Sequence, residues 1–442
     1  MNKVLVVGLA RTGVSVCKYF AKKNIDLIIA DSKSEEQLKD ILMDLKDIDA
    51  KFVIGQNPKF YEDVDLVVVS PGVPLHLDFL KEYRDKGIKI ISEIELAYLN
   101  TNANFIGITG TNGKTTTTSL VGEIFKNANE DSYIVGNIGT PVIDYVQNST
   151  QDSVFITELS SFQLESVFEF RPKIATILNV TQDHLNRHKT MKNYIDAKSN
   201  VFKNQLETDY LILNYDNDIT RNIKSLNSMY FSRKEILKEG AFVKNNKIIV
   251  KLNGKEDDII DIDKIFIRGP HNLENALAAT LISYLYGIKK DIIRKTLIEF
   301  KGVEHRLEFV KEINEVKYIN DSKGTNPDSS IKALNSYDDI ILIAGGMDKN
   351  SDFDEFTSLF KNKVKYAFLI GETKEIIASS LKKHNFDKFE YVDTMEEAVS
   401  KSYEIAKAND IVLLSPACAS WDMYDSYEVR GEHFKSCVYN LS

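Results

Sequence analysis

No stretch of this sequence approaches the ~20 consecutive apolar residues that a helix needs to cross a bilayer, so no membrane insertion is expected. The opening KVLVVGLA has the outline of a secretory leader. Gly8 and Arg11 cut its apolar run short and Gly13 opens a helical pattern, so it reads as a first β-strand. Cysteine is scarce as well. Cys17, Cys418 and Cys437 are too few and too scattered for a disulfide framework or a zinc site, which suits a reducing cytoplasm. A surplus of positive charge is also missing: 56 Lys and Arg against 65 Asp and Glu leave a net charge of −9. No basic stripe is then available to neutralise nucleic-acid phosphates in bulk, and small anions are the more plausible partners.

What is present is strand–helix alternation, three times over. KVLVVG, DLIIAD, KFVIG, DLVVVS and IKIIS are short apolar strands within residues 1–93, with a helical pattern in TGVSVCKYFAKK. FIGIT, SVFITE and IATILNV continue within 94–300. There YLILN, SMYFS, AFVKNNKIIVKLNG and KIFIRG carry Asn-Asn and Asn-Gly pairs that predict β-hairpins. HNLENALAATLISYLYGI returns to a helix, and KYINDS, DIILIAGG, YAFLIG, FEYVD and DIVLLSPA are strands within 301–442. The expected fold is α/β with three domains: a Rossmann-like N-terminal domain, a P-loop ATPase-like central domain with added hairpins, and a Rossmann-like C-terminal domain. The dinucleotide fingerprint itself is incomplete, because Ala10 stands where GLARTG needs its second glycine. A nucleotide-sized ligand near Thr12, Asp31 and the turn Ser70–Gly72 is the better reading.

The chemistry centres on FIGITGTNGKTTTT. A strand ending at Thr109, then Gly110, Thr111, Asn112 and Gly113, then a helix, aims backbone N–H groups and the positive helix end at one spot. Lys114 is placed for the outer phosphates, Thr115 for Mg²⁺, and Thr116 follows in the same turn. The usual first glycine of such a loop is absent, since Ile108 occupies its position. Glu158 closes the strand SVFITE and His184 follows IATILNV, so both are candidate metal ligands. Taken alone, Glu158 equally suits a solvated strand-end acid.

TGTNGKT, ELSSFQLE, NVTQDHLNRH, GPHNLENALAA, GVEHRLE, NDSKGTNP and SPACAS, in this order, resemble the Mur ligases, and within them the D-glutamate-adding branch. The shortened loop is a trait of that family. The resemblance implies domains that take, in order, UDP-N-acetylmuramoyl-L-alanine, ATP and D-glutamate. It also implies phosphorylation of the precursor's carboxylate, attack of the amine on the acyl phosphate, and two Mg²⁺. Lys198 matches a lysine that the family carbamylates to complete a metal site with Thr115, Glu158 and His184; by position alone it is a helix-surface lysine. Lys114, His184, Lys198 and Asp321 are the implied catalytic groups, and Asn272, Asn275, Arg306 and Asp321 the implied ATP contacts. Asn137 and Ser160 join Thr12, Asp31 and Gly72 on the substrate side, and Lys323, Thr325, Lys349, Ser415 and Tyr424 are implied for D-glutamate. The chain departs from the family pattern at Tyr424, where phenylalanine is usual, and at GMDKNSD. His433 and Cys418 match no catalytic role and read as structural.

The implied enzyme is a cytoplasmic monomer whose third domain closes over ATP, with hinges near 299–304 and 93–100. A P-loop ATPase or GTPase switch, a folylpolyglutamate-type ligase and a simple nucleotide-binding protein are the alternatives. The first lacks an Asn-Lys-x-Asp guanine signature, and the second leaves SPACAS unexplained.

Overall fold

The three runs of strands form three sheets in the computed structural model, which describes residues 2–23, 25–348 and 351–441. Lys3–Val7 (β1), Asp26–Asp31 (β2), Ala50–Ile54 (β3), Leu66–Val69 (β4) and Lys89–Ser92 (β5) pair in parallel, in the order β3-β2-β1-β4-β5. The central β1 and β4 are apolar almost throughout because both faces of a parallel sheet are covered. Strand order reverses between them, which opens a crevice at their C-terminal ends. Gly13 is required there: a Cβ on it would meet the Gly8 carbonyl oxygen at 1.9 Å, so only glycine lets the helix Arg11–Ala21 start this close to the turn.

The second sheet has nine strands: Asn104–Thr109 (β6), Ser132–Gly136 (β7), Val154–Glu158 (β8), Ile174–Ile177 (β9), Tyr210–Asn214 (β10), Ser228–Ser232 (β11), Gly240–Lys244 (β12), Lys247–Leu252 (β13) and Lys255–Asp261 (β14). Its order is β14-β13-β12-β11-β10-β9-β6-β8-β7, and only the β12-β13-β14 end is antiparallel. The hairpin turns fall on Asn245-Asn246, with φ of 52° and 59°, and on Asn253-Gly254, with 51° and 79°. Asparagine and glycine tolerate these left-handed conformations, which match the strands' own twist. KIFIRG is not a strand, contrary to expectation. The third strand of the meander is KEDDIID, whose charges mask its alternation; the buried Asp257 is held by the Tyr284 hydroxyl at 2.5 Å and the Lys290 ammonium at 2.8 Å. The strand β7 also lacked a clear sequence signal.

The third sheet is built from Glu308–Ile313 (β15), Val316–Asn320 (β16), Ile340–Gly345 (β17), Val364–Ile370 (β18), Phe389–Tyr391 (β19) and Ile411–Leu414 (β20), in the order β15-β16-β20-β17-β18-β19. Only β15 runs antiparallel to its neighbour. The chain divides into two compact units, one reaching Lys264 and including Glu274–Ile298, the other made of Ile265–Leu273 and the chain from Glu299 onward.

The first two sheets share the first unit, and their junction corrects one expectation. Residues 93–100 were a candidate hinge, but Glu93–Tyr98 is a helix whose acidic side chains point inward. Glu95, 1% exposed, accepts hydrogen bonds from the N–H groups of Phe168, Glu169 and Phe170 at 2.8–3.0 Å, and Glu93 accepts one from Ile143 at 2.7 Å. One apolar core runs from Val4 and Val16 through Leu96 to Phe105 and Val142. Bending here would expose that core and strip buried carboxylates of their partners, so this is a packed joint. No helix among the described residues is long and apolar enough to cross a membrane.

Candidate active site

In the first unit the Gly110–Gly113 loop leaves the end of β6 between its neighbours β8 and β9 and enters the helix Lys114–Asn127. The first hydrogen bond of this helix runs from Thr117 N to the Gly113 carbonyl at 2.9 Å, so the amides before it project from the helix end, where an anion is favoured. Gly113 lies at φ 83°, and a Cβ there would come within 2.3 Å of Asn275 Oδ1. That same oxygen accepts from the Thr117 hydroxyl at 3.3 Å, so Asn275 braces the loop from inside the protein. Two expected phosphate donors are engaged otherwise: Thr111 N bonds the Asn179 carbonyl at 2.9 Å, and Asn112 N bonds Asn179 Oδ1 at 2.8 Å. Asn179 and Tyr194, whose hydroxyl meets Thr111 Oγ1 at 3.2 Å, were not singled out from the sequence. Asparagine after a strand end is too common to signal this role.

Two lysine amines converge on one carbonyl. Lys114 Nζ and Lys198 Nζ each lie 2.9 Å from the oxygen of Gly110. Lys198, on the helix Met191–Ser199, is 2% exposed and sits 4.5 Å over the Tyr194 ring, so the surface-lysine reading is wrong. Burial, then the charge of Lys114, holds its amine well below the ordinary lysine range. Thr115 and Thr116 are buried in the same first turn.

Glu158 ends β8 directly beside Ile108 and is 2% exposed, not solvated. One of its oxygens accepts from Asn137 Nδ2 at 2.7 Å; the other, Oε2, is buried with no hydrogen-bond partner among the described residues. A buried carboxylate oxygen left over beside the strand that feeds the phosphate loop fits a hard, oxygen-seeking cation such as Mg²⁺. His184 is exposed, in left-handed backbone at φ 53°, with its ring 5.0 Å from Phe162 and next to Asp183. Ser160 caps the helix Ser161–Leu164 through a reciprocal pair of bonds with Gln163. A groove of about 440 Å³ lies close by, lined by His76, Glu165, Arg187, His188, Lys189, Asn193 and Ala197. Arg187 spans it, bonding Glu165 at 2.8 Å and the Val73 carbonyl at 3.0 Å. Further along the first sheet, Asp31 accepts from Leu9 N at 2.6 Å, Thr12 opens the helix at the β1 end, and Gly72 is exposed in the turn after β4.

In the second unit Asp321 follows β16 and Ser415 follows the adjacent β20. The Ser415 hydroxyl donates to Asp321 Oδ2 at 2.8 Å and lies 2.8 Å from Ser330 Oγ; it is fully buried. Burial pushes the Asp321 carboxyl up to about 7, against the pull of the Ser415 bond and of Arg306. Lys323 and Thr325 are half-buried in the turn that follows, with Lys323 Nζ 5.7 Å over the Tyr427 ring. Asn272 lies in the first turn of the helix Pro270–Tyr286 and donates to the Arg268 carbonyl at 2.9 Å. Burial lowers the adjacent His271 to about 4. Tyr424 meets His433 Nδ1 at 2.9 Å, and Lys349 lies outside the described residues.

Comparison with known proteins fits this geometry. Residues 2–92 match the Mur ligase MurD-like N-terminal domain, 108–283 the Mur ligase middle domain, and 305–418 the Mur ligase glutamate ligase domain. A UDP-N-acetylmuramoylalanine--D-glutamate ligase of Clostridioides difficile (strain 630) is 53% identical over 446 residues, spanning 100% of this chain and 99% of the relative. A ligase of the same name from Alkaliphilus oremlandii (strain OhILAs) is 51% identical over 100% of this chain and 98% of its own. The crystal structure of a UDP-N-acetylmuramate-alanine ligase from Thermotoga maritima shares the fold, with a TM-score of 0.61 at 19% identity over 99% of both chains. With the phosphate loop, the three sheets and full-length relatives in agreement, the chain belongs to the Mur ligase family.

Proposed function

We propose that the protein joins D-glutamate to UDP-N-acetylmuramoyl-L-alanine at the expense of ATP, as a cytoplasmic monomer supplying peptidoglycan precursor. The domains are taken as 1–93 for the UDP-sugar precursor, 94–300 for ATP and 301–442 for D-glutamate. A carboxylate is a poor acyl donor because oxide is a poor leaving group. Transfer of the γ-phosphoryl group to the precursor's carboxylate oxygen, with ADP departing, supplies a better one. The D-glutamate nitrogen then attacks the acyl carbon, the tetrahedral intermediate expels phosphate, and the nitrogen loses its proton.

Lys114 and the amides at the helix start hold the phosphates, and Lys114 follows the charge that develops on the transferred group. Thr115, Glu158, His184 and a carbamate on Lys198 would hold two Mg²⁺, which when bound offset repulsion between the phosphates and the incoming carboxylate. The groove beside Arg187 and His188 suits the anionic precursor, with Asn137, Ser160, Thr12, Asp31 and Gly72 along the same unit. Asn272, Asn275, Arg306 and Asp321 serve ATP, and Lys323, Thr325, Lys349, Ser415 and Tyr424 serve D-glutamate.

The observation that carries this reading is the convergence of Lys114 and Lys198 on the Gly110 carbonyl. Two ammonium groups there would repel each other, and burial together with the charge of Lys114 holds the Lys198 amine well below the ordinary lysine range, which favours its uncharged form. An uncharged amine is the form that adds to CO₂: nitrogen bonds to the CO₂ carbon, one proton leaves the nitrogen, and an uncharged group becomes an anion able to ligate metal. The test is ADP release with the precursor and D-glutamate each omitted in turn. Release that needs both, and that prefers D- over L-glutamate, is expected; release indifferent to either overturns the proposal.

A further inference from the structure

We propose that Glu396, His433 and Cys437 form a binding site for a borderline-soft divalent cation, zinc by preference, between the helices Met395–Ile405 and Tyr427–Tyr439 of the second unit. His433 and Cys437 are four residues apart on one helix, so they share a face. Glu396 opens the other helix, which packs against it. The candidate ligand atoms of all three lie within 4.8 Å of one another. A nitrogen, a sulfur and a carboxylate oxygen are zinc's preferred donors, and three protein ligands leave a fourth position for water.

The histidine is oriented for this. Its Nε2 faces Glu396 Oε1 at 2.7 Å, while Nδ1 meets the Tyr424 hydroxyl at 2.9 Å. A ligating imidazole is usually fixed in this way, one nitrogen on the metal and the other held by an outer partner that sets the tautomer. Cys437 is buried and its thiol is pushed up to about 11 by burial and by the charge of Glu396. A dication between the two reverses that balance: the thiol releases its proton, the thiolate binds, and the negative charges of sulfur and carboxylate are offset. The Glu396 side chain is 62% exposed, so it can swing to admit the ion. The neighbouring trio Glu304, His305 and Glu432 makes the contrast, since the Lys435 ammonium already lies 2.6 Å from Glu304 and 2.7 Å from Glu432. Cysteine spacing alone argued against zinc because it cannot register a ligand from another helix.

The experiment is a Zn²⁺ titration of the full-length protein in excess Mg²⁺ against a chromophoric chelator, with Co²⁺ as a spectroscopic substitute. One tightly held ion per chain and a near-ultraviolet thiolate-to-cobalt band are expected. Cys437→Ser should abolish the band, and Glu396→Gln, at an exposed position, should weaken zinc without disturbing the fold. Tyr424→Phe should weaken it about tenfold as an outer-shell change. A band that survives in Cys437→Ser, affinity unchanged in Glu396→Gln, or no stoichiometric uptake by the parent protein would each overturn the site.

Discussion

Lys198 in the first unit and Asp321 in the second are both buried beside the C-terminal ends of parallel strands, and burial moves them in opposite directions. It lowers the amine and raises the carboxyl, because in each case it is the charged form that loses water. Their surroundings differ as well. Lys198 shares its acceptor with a second amine, whereas Asp321 is bonded to Ser415 and screened by Arg306 and Arg430. The first site therefore disfavours the charged form of an amine, and the second holds a carboxyl poised to change charge near neutral pH.

The largest effect should come from Lys114→Ala, which removes the cation that follows the transferred phosphoryl group; kcat should fall about 10²–10³-fold in the ADP-release assay. Next is Lys198→Ala, with a loss of about 10² or more if its carbamate orders the metal. Partial recovery with a short exogenous carboxylate is expected. No rescue, together with an unmodified lysine in a mass spectrum gathered under bicarbonate, would break the contrast by making Lys198 merely structural.

Glu95→Ala should cost roughly 3 kcal/mol in urea unfolding, since three backbone amides lose a buried carboxylate acceptor. A value near zero would mean the joint between the first two sheets bends after all.

The smallest effect sharpens the comparison by its sign. Asp321 has a folded pKa raised to about 7 from 3.8, so the folded state binds the extra proton between those values, and stability falls as pH rises through that window. Lys198 has a lowered folded pKa, so the unfolded state binds the extra proton and stability instead rises with pH toward the ordinary lysine value of 10.5. Asp321→Asn should flatten the acidic-to-neutral limb of a Tm-versus-pH curve by a few degrees, and Lys198→Met the alkaline limb. Matching slopes in the two variants would mean that burial is not the cause.

The phosphate loop was legible because backbone conformation, glycine placement and a charged side chain are all consecutive in FIGITGTNGKTTTT. Glu158 was legible for a similar reason, as the acid that ends a strand. Asn179, Tyr194 and the buried state of Lys198 were not, since each acts through a partner between 67 and 88 residues away. The strand KEDDIID was hidden because its inward aspartate is satisfied by Tyr284 and Lys290, which lie in later helices.

By itself the sequence determined the three-fold α/β alternation, the hairpin turns and the phosphate cradle, all of which depend on local periodicity and local backbone freedom. Tertiary structure decided which charges are buried and which atoms they face. It lowered the Lys198 amine, left Glu158 Oε2 without a hydrogen-bond partner among the described residues, turned the expected hinge at 93–100 into a joint, and brought Glu396 to His433 and Cys437. Desolvation and pairing are properties of the surrounding fold, and no residue carries them in its own identity.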